Sequence, residues 1–322
     1  MEIQITEENP TVCPKVKSDE LLSEFEDAYV EGFEALRKGK ESDSSLPSPI
    51  NLNVSDAIKV KLPNLKWHKY DVIPRKMKVT NSGRTVILSA KWDEEFPYIT
   101  GGPFRHEKYV LSDIHFHWGK TANEGSEHLA EGLQRPLEMH VMHTKKGYTL
   151  REAVEKVDGT VIVVYLFEIS FHHNPVLQRI LLNLENIRQS GTDYHLPPFE
   201  ISRLVIPFEE DFYFYWGTVT SKEEVCPMMW VINRKQGSIS NAQLKLFHRL
   251  LDPSLRSISR NWRPVRSKEK RNLFYVNPLA PNTLQTMDPR PILYQEKVHY
   301  TSAVSVELET HAPRESIVSG SP

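Results

Sequence analysis

The stretch Asp113-Ile114-His115-Phe116-His117-Trp118-Gly119 constrains the fold more than any other part of the chain. Its polar and apolar side chains alternate, which is typical of a β-strand with one buried face. On such a strand His115 and His117 project from the same face, and the apolar side chains beside them pack on the other. We therefore predict a strand that presents two imidazole rings together.

A third histidine extends this pattern. The segment Glu138-Met139-His140-Val141-Met142-His143 also alternates, so His140 shares a face with Glu138. Three protein ligands with an open fourth position form a catalytic zinc site. A zinc-bound histidine almost always donates its other N–H to a carboxylate or carbonyl, which Glu138 could provide for His140 and Asp113 for His115. Any one histidine on a strand is more often a packing residue, but together His115, His117 and His140 predict a Zn²⁺ site.

These segments resemble the alpha-class carbonic anhydrases. The His-Phe-His-Trp-Gly strand, the segment Ser126-Glu127-His128 and the Glu-x-His-x-x-His strand follow one another in the order of that family. The similarity extends from about Ser48-Pro49-Ile50 to Asn261-Trp262-Arg263-Pro264. It implies a zinc-dependent carbonate dehydratase, a carbon–oxygen lyase that reversibly hydrates CO2 to bicarbonate and a proton.

The resemblance also implies roles for residues outside the zinc ligands. Thr220, within Tyr215-Trp216-Gly217-Thr218-Val219-Thr220-Ser221, matches the threonine that orients the zinc-bound hydroxide, and Glu127 matches the buried glutamate that accepts from that threonine. An ordinary strand-edge threonine and a surface carboxylate are the alternatives. The family pattern places Ser221 beside the substrate, and it places Val219, Ile162 and, less directly, Val141 in the apolar CO2 pocket, although core packing explains apolar residues equally well.

The chain departs from the family pattern at several positions. Arg84 follows Asn81-Ser82-Gly83 where fast members carry a proton-shuttle histidine, and an arginine does not deprotonate near neutrality. Turnover is therefore expected to be slow unless buffer or another histidine, such as His68, carries the proton. Lys222 and Glu223 replace two prolines, and the tyrosine and Gly-Pro-x-x-Trp segment at the family's amino end have no counterpart.

One departure concerns a zinc ligand directly. Asp113 stands where a glutamine is usual, and its carboxylate would accept more strongly from His115 and make the zinc-bound water slightly less acidic. The alternative to an enzyme is a carbonic anhydrase-related binding protein, catalytically weak or inactive, that keeps the zinc site. The sequence contains no His-Glu-x-x-His helix, so a metalloprotease has no support.

The pattern of short alternating segments predicts a mainly β (α+β) domain over residues 46–276. The resemblance implies a large twisted, mostly antiparallel sheet of about ten strands with peripheral helices. Thr160 to Ile169 reads as a buried central strand, and helices are expected from Asn174-Pro175 to Gly191 and from Ser240. Residues 1–45 are expected to form an extension with an amphipathic helix that starts at Ser18 and is ended by Gly39 and the Lys/Ser-rich stretch through Ser45. Residues 277–322 are expected to form an irregular tail. The apolar stripe of that first helix consists of Leu21, Leu22, Phe25, Tyr29, Phe33 and Leu36.

Composition limits the other classes of function. The 322 residues carry 40 Lys and Arg against 42 Asp and Glu, a net charge of −2 that gives no sign of a nucleic-acid partner. No apolar run approaches the ~18–20 residues of a transmembrane helix. The acidic start of the chain does not resemble a secretory signal, and Cys13 and Cys226 are expected to be free thiols, so we predict a cytoplasmic protein. A protein partner remains open for the first helix or the carboxyl-terminal tail.

Overall fold

The computed structural model describes residues 18–221 and 224–278, with side chains from residue 27 onward except that of Ser221. Strands dominate this part of the chain, as predicted. The strands are β1 Asn51–Leu52, β2 Ile58–Leu62, β3 Leu65–His68, β4 Lys76–Asn81, β5 Val86–Lys91, β6 Tyr98–Gly101, β7 Tyr109–Trp118, β8 Leu129–Ala130, β9 Leu133–Gln134, β10 Leu137–Lys145, β11 Thr160–Ser170, β12 Asp193–Leu196, β13 Phe212–Ser221, β14 Glu224–Asn233, β15 Gly237–Ser240 and β16 Phe274–Pro278. The α-helices are α1 Ser18–Asp43, α2 Leu150–Ala153, α3 Pro175–Leu181 and α4 Asn241–Phe247.

One large sheet contains most of the strands. Ten of them follow in the order β12-β4-β5-β7-β10-β11-β14-β13-β16-β2, while β15 pairs with β11, and β6 joins β3 to β7. Strand pairs are parallel only at β11–β14, β11–β15 and β16–β2 within this sheet. The predicted mainly β fold with a large, mostly antiparallel sheet is therefore confirmed. A separate three-stranded sheet has the order β1-β8-β9.

The two faces of the large sheet bury two different cores. The helix-side core, which includes Ile114, Phe116, Val141 and Phe274, receives the apolar residues of α3 and α4. The histidine-side core is smaller. It includes Ile162, Val164, Tyr215 and Trp230. Because side chains alternate along a strand, each central strand supplies both cores, and β11 is accordingly buried along most of its length, as predicted.

Helix α1 packs on the helix-side face. Leu36 is buried in that core, and Tyr29 and Phe33 are half-buried, whereas the predicted stripe positions Leu21, Leu22 and Phe25 lie outside the described side chains. The helix ends at Asp43, within the predicted stretch from Gly39 to Ser45. A Cβ on Gly39 would lie 2.7 Å from the Phe274 ring, so this glycine permits close helix–sheet packing rather than marking the helix end. No described helix is long and apolar enough to cross a membrane.

The remaining sequence predictions hold with adjustments. Asn174 caps α3 and accepts from the amides of Val176 and Leu177, but the α-helix ends at Leu181 and only a 3-10 turn, Leu184–Ile187, continues toward Gly191. Ser240 caps α4 through a reciprocal capping box with Gln243. Strand β16 extends to Pro278, past the predicted domain end at 276. The residues that follow, and Cys13, lie outside the described ranges, while Cys226 is a buried free thiol.

The close packing of α1 on β2 gives a stability prediction. A Cβ on Gly32 would lie 2.3 Å from the carbonyl oxygen of Lys61, a backbone atom that cannot rotate away. Gly32→Ala should therefore lower the free energy of unfolding by about 1–2 kcal/mol, because overpacking outweighs the ~1 kcal/mol gain in helix propensity. Urea unfolding measures this change. Lys38→Ala, at an exposed position of the same helix, is the control, and equal stabilisation in both variants would contradict the packing.

Candidate metal centre and its relatives

The pairing of β7 with β10 brings the three predicted histidines together. His140 lies directly opposite His115 in the antiparallel register, and His117 follows two residues along β7 on the same face. The ring centroids of His117 and His140 are 4.5 Å apart, and those of His115 are 5.1 Å from His140 and 5.5 Å from His117. One ring nitrogen from each histidine lies within 4.8 Å of the other two. The three imidazoles therefore converge on one point.

Each ring has its second nitrogen occupied by a protein acceptor. Nδ1 of His115 lies 2.9 Å from Oδ1 of Asp113, and Nε2 of His140 lies 2.5 Å from Oε1 of Glu138. Nδ1 of His117 lies 3.2 Å from the carbonyl oxygen of Asn261. These contacts leave Nε2 of His115, Nε2 of His117 and Nδ1 of His140 for a common ligand, as the tautomers of a metal site require. Asn261 was not predicted for this role because it is 144 residues away in sequence.

Glu138 lies at the centre of a fully buried hydrogen-bond network. Its carboxylate accepts from the backbone amide and Nδ1 of His128 at 2.9 and 2.7 Å, in addition to His140. His128 continues the network through Nε2, 2.7 Å from the hydroxyl of Tyr215. Burial opposes ionisation of Glu138, but His128 and the hydrogen bonds from both histidines outweigh it and hold its pKa well below the ordinary value. Glu138 is therefore an anion that fixes the His140 ring.

Burial favours the neutral form of His117 and His140. Desolvation, followed by repulsion from His117, lowers the pKa of His140 to about 3. Desolvation also lowers the pKa of His117, and the carboxylate of Glu127 only partly compensates. A histidine binds a metal ion through its neutral imidazole. At neutral pH these two rings already have the required protonation state.

Glu127 is buried beside this cluster, but its partner is an arginine. Arg263 binds both carboxylate oxygens, with Nε 2.7 Å from Oε1, and its backbone amide also donates to Oε1 at 3.2 Å. Oε1 lies 3.3 Å from Nδ1 of His117. Burial raises the pKa of Glu127, but His117 and Arg263 together bring it down to about 2. Arg263 was part of the quoted Asn-Trp-Arg-Pro segment, yet its pairing could not be derived from sequence spacing.

The predicted substrate-side residues lie on β11 and at the outer end of β13. Ile162 and Val219 belong to the histidine-side core or pack against it. Thr220 is exposed, pairs with Val225 in the β13–β14 hairpin and makes no hydrogen bond with Glu127 in the described structure. Because Val219 packs toward the histidine side, strand alternation directs Thr220 to the other face. The expected Thr220–Glu127 contact is therefore not formed here.

Several further positions can now be placed. Val141 is part of the helix-side core, so it does not line the histidine side. Met142, the next residue, lies opposite Ile162 and packs there instead.

His68 lies on β3, and its partner strand β6 meets β7 at Val110, five residues before His115. That separation is about 17 Å along the strand, so His68 is not beside the cluster. The Ser221 side chain, Lys222 and Glu223 lie outside the described residues.

The sequence model of the eukaryotic-type carbonic anhydrases matches residues 37–277. The chain belongs to this family. It is 30% identical over 246 residues to "Putative carbonic anhydrase 5" of Caenorhabditis elegans, covering 74% of this chain and 77% of that relative.

Two mammalian relatives give similar values. The chain is 31% identical over 208 residues to "Carbonic anhydrase 7" of Homo sapiens, covering 63% of this chain and 76% of the relative. It is 34% identical over 161 residues to "Carbonic anhydrase 1" of Oryctolagus cuniculus, covering 49% of this chain and 67% of that relative. The range that matches the family model includes all three histidines of the cluster.

The donor set of this chain fits Zn²⁺. Three neutral imidazoles with fixed second nitrogens are the ligands of a catalytic zinc site with one open position. A second group, His128, Glu138 and His140, also has close ligand atoms. Its members are fully buried, and they already bind one another and Tyr215, so the group has no position open to a water or substrate. His115, His117 and His140 are therefore the better zinc ligands.

Glu138 tests the network that supports the zinc ligands. Glu138→Gln removes an anion that accepts from His128 and His140, and we expect zinc affinity to fall about 10–100-fold, the usual effect of losing such a partner. Competition with a zinc chelator, followed by metal analysis, measures the affinity. Glu155→Gln, at an exposed position, should bind zinc like the wild type. Unchanged affinity in Glu138→Gln would show that the His140 ring is held by packing alone.

Proposed function

We propose that this carbonic anhydrase catalyses the zinc-dependent, reversible hydration of CO2 to bicarbonate and a proton. The observation that supports it most directly is the convergence of three imidazoles whose second nitrogens are all bound by protein acceptors. Zn²⁺, when bound, lowers the pKa of a coordinated water to about 7, a value known for this family, and so provides a nucleophile at neutral pH.

The protein's own residues position the reactants. Asp113, Asn261 and Glu138 orient the ligand rings, and the buried Glu127 carboxylate, held by Arg263, provides a fixed negative charge beside His117. On the same face, Met142, Ile162, Val219 and Met228 contribute apolar surface for CO2. The half-buried carboxylate of Asp113 is proposed to make His115 a stronger donor, as the sequence suggests.

Orientation of the nucleophile by Thr220 requires a change at the outer end of the β13–β14 hairpin. We propose that this end bends so that the Thr220 hydroxyl turns toward Glu127 and the histidines, with Ser221 next to the substrate. The side chain of Thr220 has no hydrogen-bond partner in the described structure that such a movement would break. Proton release would rely on buffer, since Arg84 stands at the shuttle position and a guanidinium has no acceptor atom for a proton.

Stopped-flow CO2 hydration tests the activity. Zinc-loaded wild-type protein should accelerate hydration, an aromatic sulfonamide should suppress it, and His117→Ala should reduce it to the rate of buffer alone, because a ligand is lost. His172→Ala, at an exposed histidine after β11, is the matched control and should keep wild-type activity. If the wild type holds one zinc per chain by mass spectrometry yet gives no acceleration, the protein is instead a carbonic anhydrase-related binding protein.

Substitutions of Thr220 test whether this residue orients the nucleophile, separately from whether the protein is active. Thr220→Ala should lower kcat/KM about 100-fold, the scale expected for losing one oriented hydrogen-bonding group, while Thr220→Ser should keep most of it because the hydroxyl remains. Zinc content should be unchanged in both variants. Equal activity in Thr220→Ala and the wild type would mean that the hairpin stays as observed and that Thr220 has no part in the reaction.

A further inference from the structure

A second concave site lies away from the histidine cluster. It is a cleft of about 470 Å³ bordered by α1, β3, β6 and the loop that leads into β7, and it shares no residue with the metal centre. We call it the basic cleft because five of its lining residues carry basic side chains. They are Lys66, His68, Arg105, His106 and Lys108.

The basic cleft has more positive than negative charge. Glu95 is the nearby carboxylate, and it lies 3.6 Å from Lys108 but is shared with Lys69 and Lys146. Lys66 and Arg105 have no carboxylate within ion-pair distance among the described residues, and neither does His106. Repeated like charges in one cavity are unfavourable unless an anion compensates them.

Arg105 is exposed, but its backbone and its guanidinium are both held by neighbouring groups. Its backbone has φ 54° and ψ −117°, a conformation that non-glycine residues rarely adopt. The backbone is fixed because Gly101 N–H donates to the Arg105 carbonyl at 2.8 Å, and the guanidinium lies 4.1 Å from the ring centroid of Phe33 on α1. Unusual backbone conformations of this kind concentrate at ligand-binding sites.

The opposite wall is also ordered. The His68 ring stacks on Tyr98 at 4.4 Å, with Nε2 3.0 Å from the hydroxyl of Thr100, and the Lys108 ammonium lies 4.3 Å from the Tyr98 ring centroid. Partial burial lowers the pKa of His68, and the positive charges of Lys108 and Lys66 lower it further. The wall therefore presents one fixed cation, the Lys108 ammonium, beside a His68 ring that lies in a positive local potential.

We propose that the basic cleft binds a small soluble molecule that carries two phosphate groups. The volume falls in the range of small-molecule sites. The planar guanidinium of Arg105 can bind phosphate through two parallel N–H bonds, and Lys66 and Lys108 add point charges. Two dianionic groups match the several cations better than one singly charged anion does.

Calorimetric titration of the zinc-loaded full chain tests this proposal. Fructose 1,6-bisphosphate is the probe, fructose 6-phosphate is the comparison, and a saturating aromatic sulfonamide prevents phosphate from binding the metal. At constant ionic strength the bisphosphate should bind one per chain and more tightly than the monophosphate. The double variant K66Q/R105Q should bind about tenfold more weakly, as expected for losing hydrogen bonds to a charged group.

The double variant K38Q/K91Q removes two exposed positive charges outside the cleft and should bind the bisphosphate like the wild type. No saturable binding by the wild type, or equal weakening in both double variants, would overturn the site. Co-sedimentation with phosphatidylcholine vesicles that contain phosphatidylinositol 4-phosphate, without binding of the soluble bisphosphate, would also overturn it by showing a lipid headgroup as the ligand. If K66Q/R105Q does not fold, the single variant Lys66→Glu, at an exposed position, decides the outcome.

Discussion

The antiparallel register between β7 and β10 is the constraint on which the metal centre depends. It places His140 opposite His115, and the alternation of both strands sends all three imidazoles to one face. A shift of one residue would turn the histidines toward the helix-side core and their apolar neighbours toward the cluster. Ile114, Phe116 and Val141 are each buried on the other face. Hydrophobic burial therefore fixes the register, and the register in turn fixes the metal ligands.

The polar network behind the ligands adds a second constraint. Two carboxylates, Glu127 and Glu138, are buried, and neither is left unpaired. A buried carboxylate without partners would take up a proton or destabilise the fold. Here Glu138 is compensated by His128 and His140, and Glu127 by Arg263. The same pairs that satisfy the buried charges also hold the histidine tautomers, so stability and site geometry have a common origin.

Local patterns predicted what depends on neighbouring residues. The alternation around His115 and His140 placed the ligands, and Asn174 and Ser240 predicted helix starts, because capping involves residues only two or three positions apart. Contacts between residues far apart in the sequence were not predicted. They are Asn261 beside His117, Arg263 on Glu127, and the close packing of Gly39 against Phe274. Assigning Val141 to the histidine side failed for a local reason, since a residue next to His140 must point to the opposite face, whereas Met142 points to the same one.

The same alternation sets the main question about function. In a regular hairpin, Val219 and Thr220 cannot both face the histidines, and the observed pairing of Thr220 with Val225 gives that place to Val219. An active arrangement must therefore break the strand regularity near the hairpin turn. The family pattern has two prolines after this segment, and proline cannot donate to a strand ladder; Lys222 and Glu223, which stand there in this sequence, each have a backbone N–H. The sequence difference at these two positions therefore bears directly on whether the histidine cluster can be accompanied by an oriented threonine.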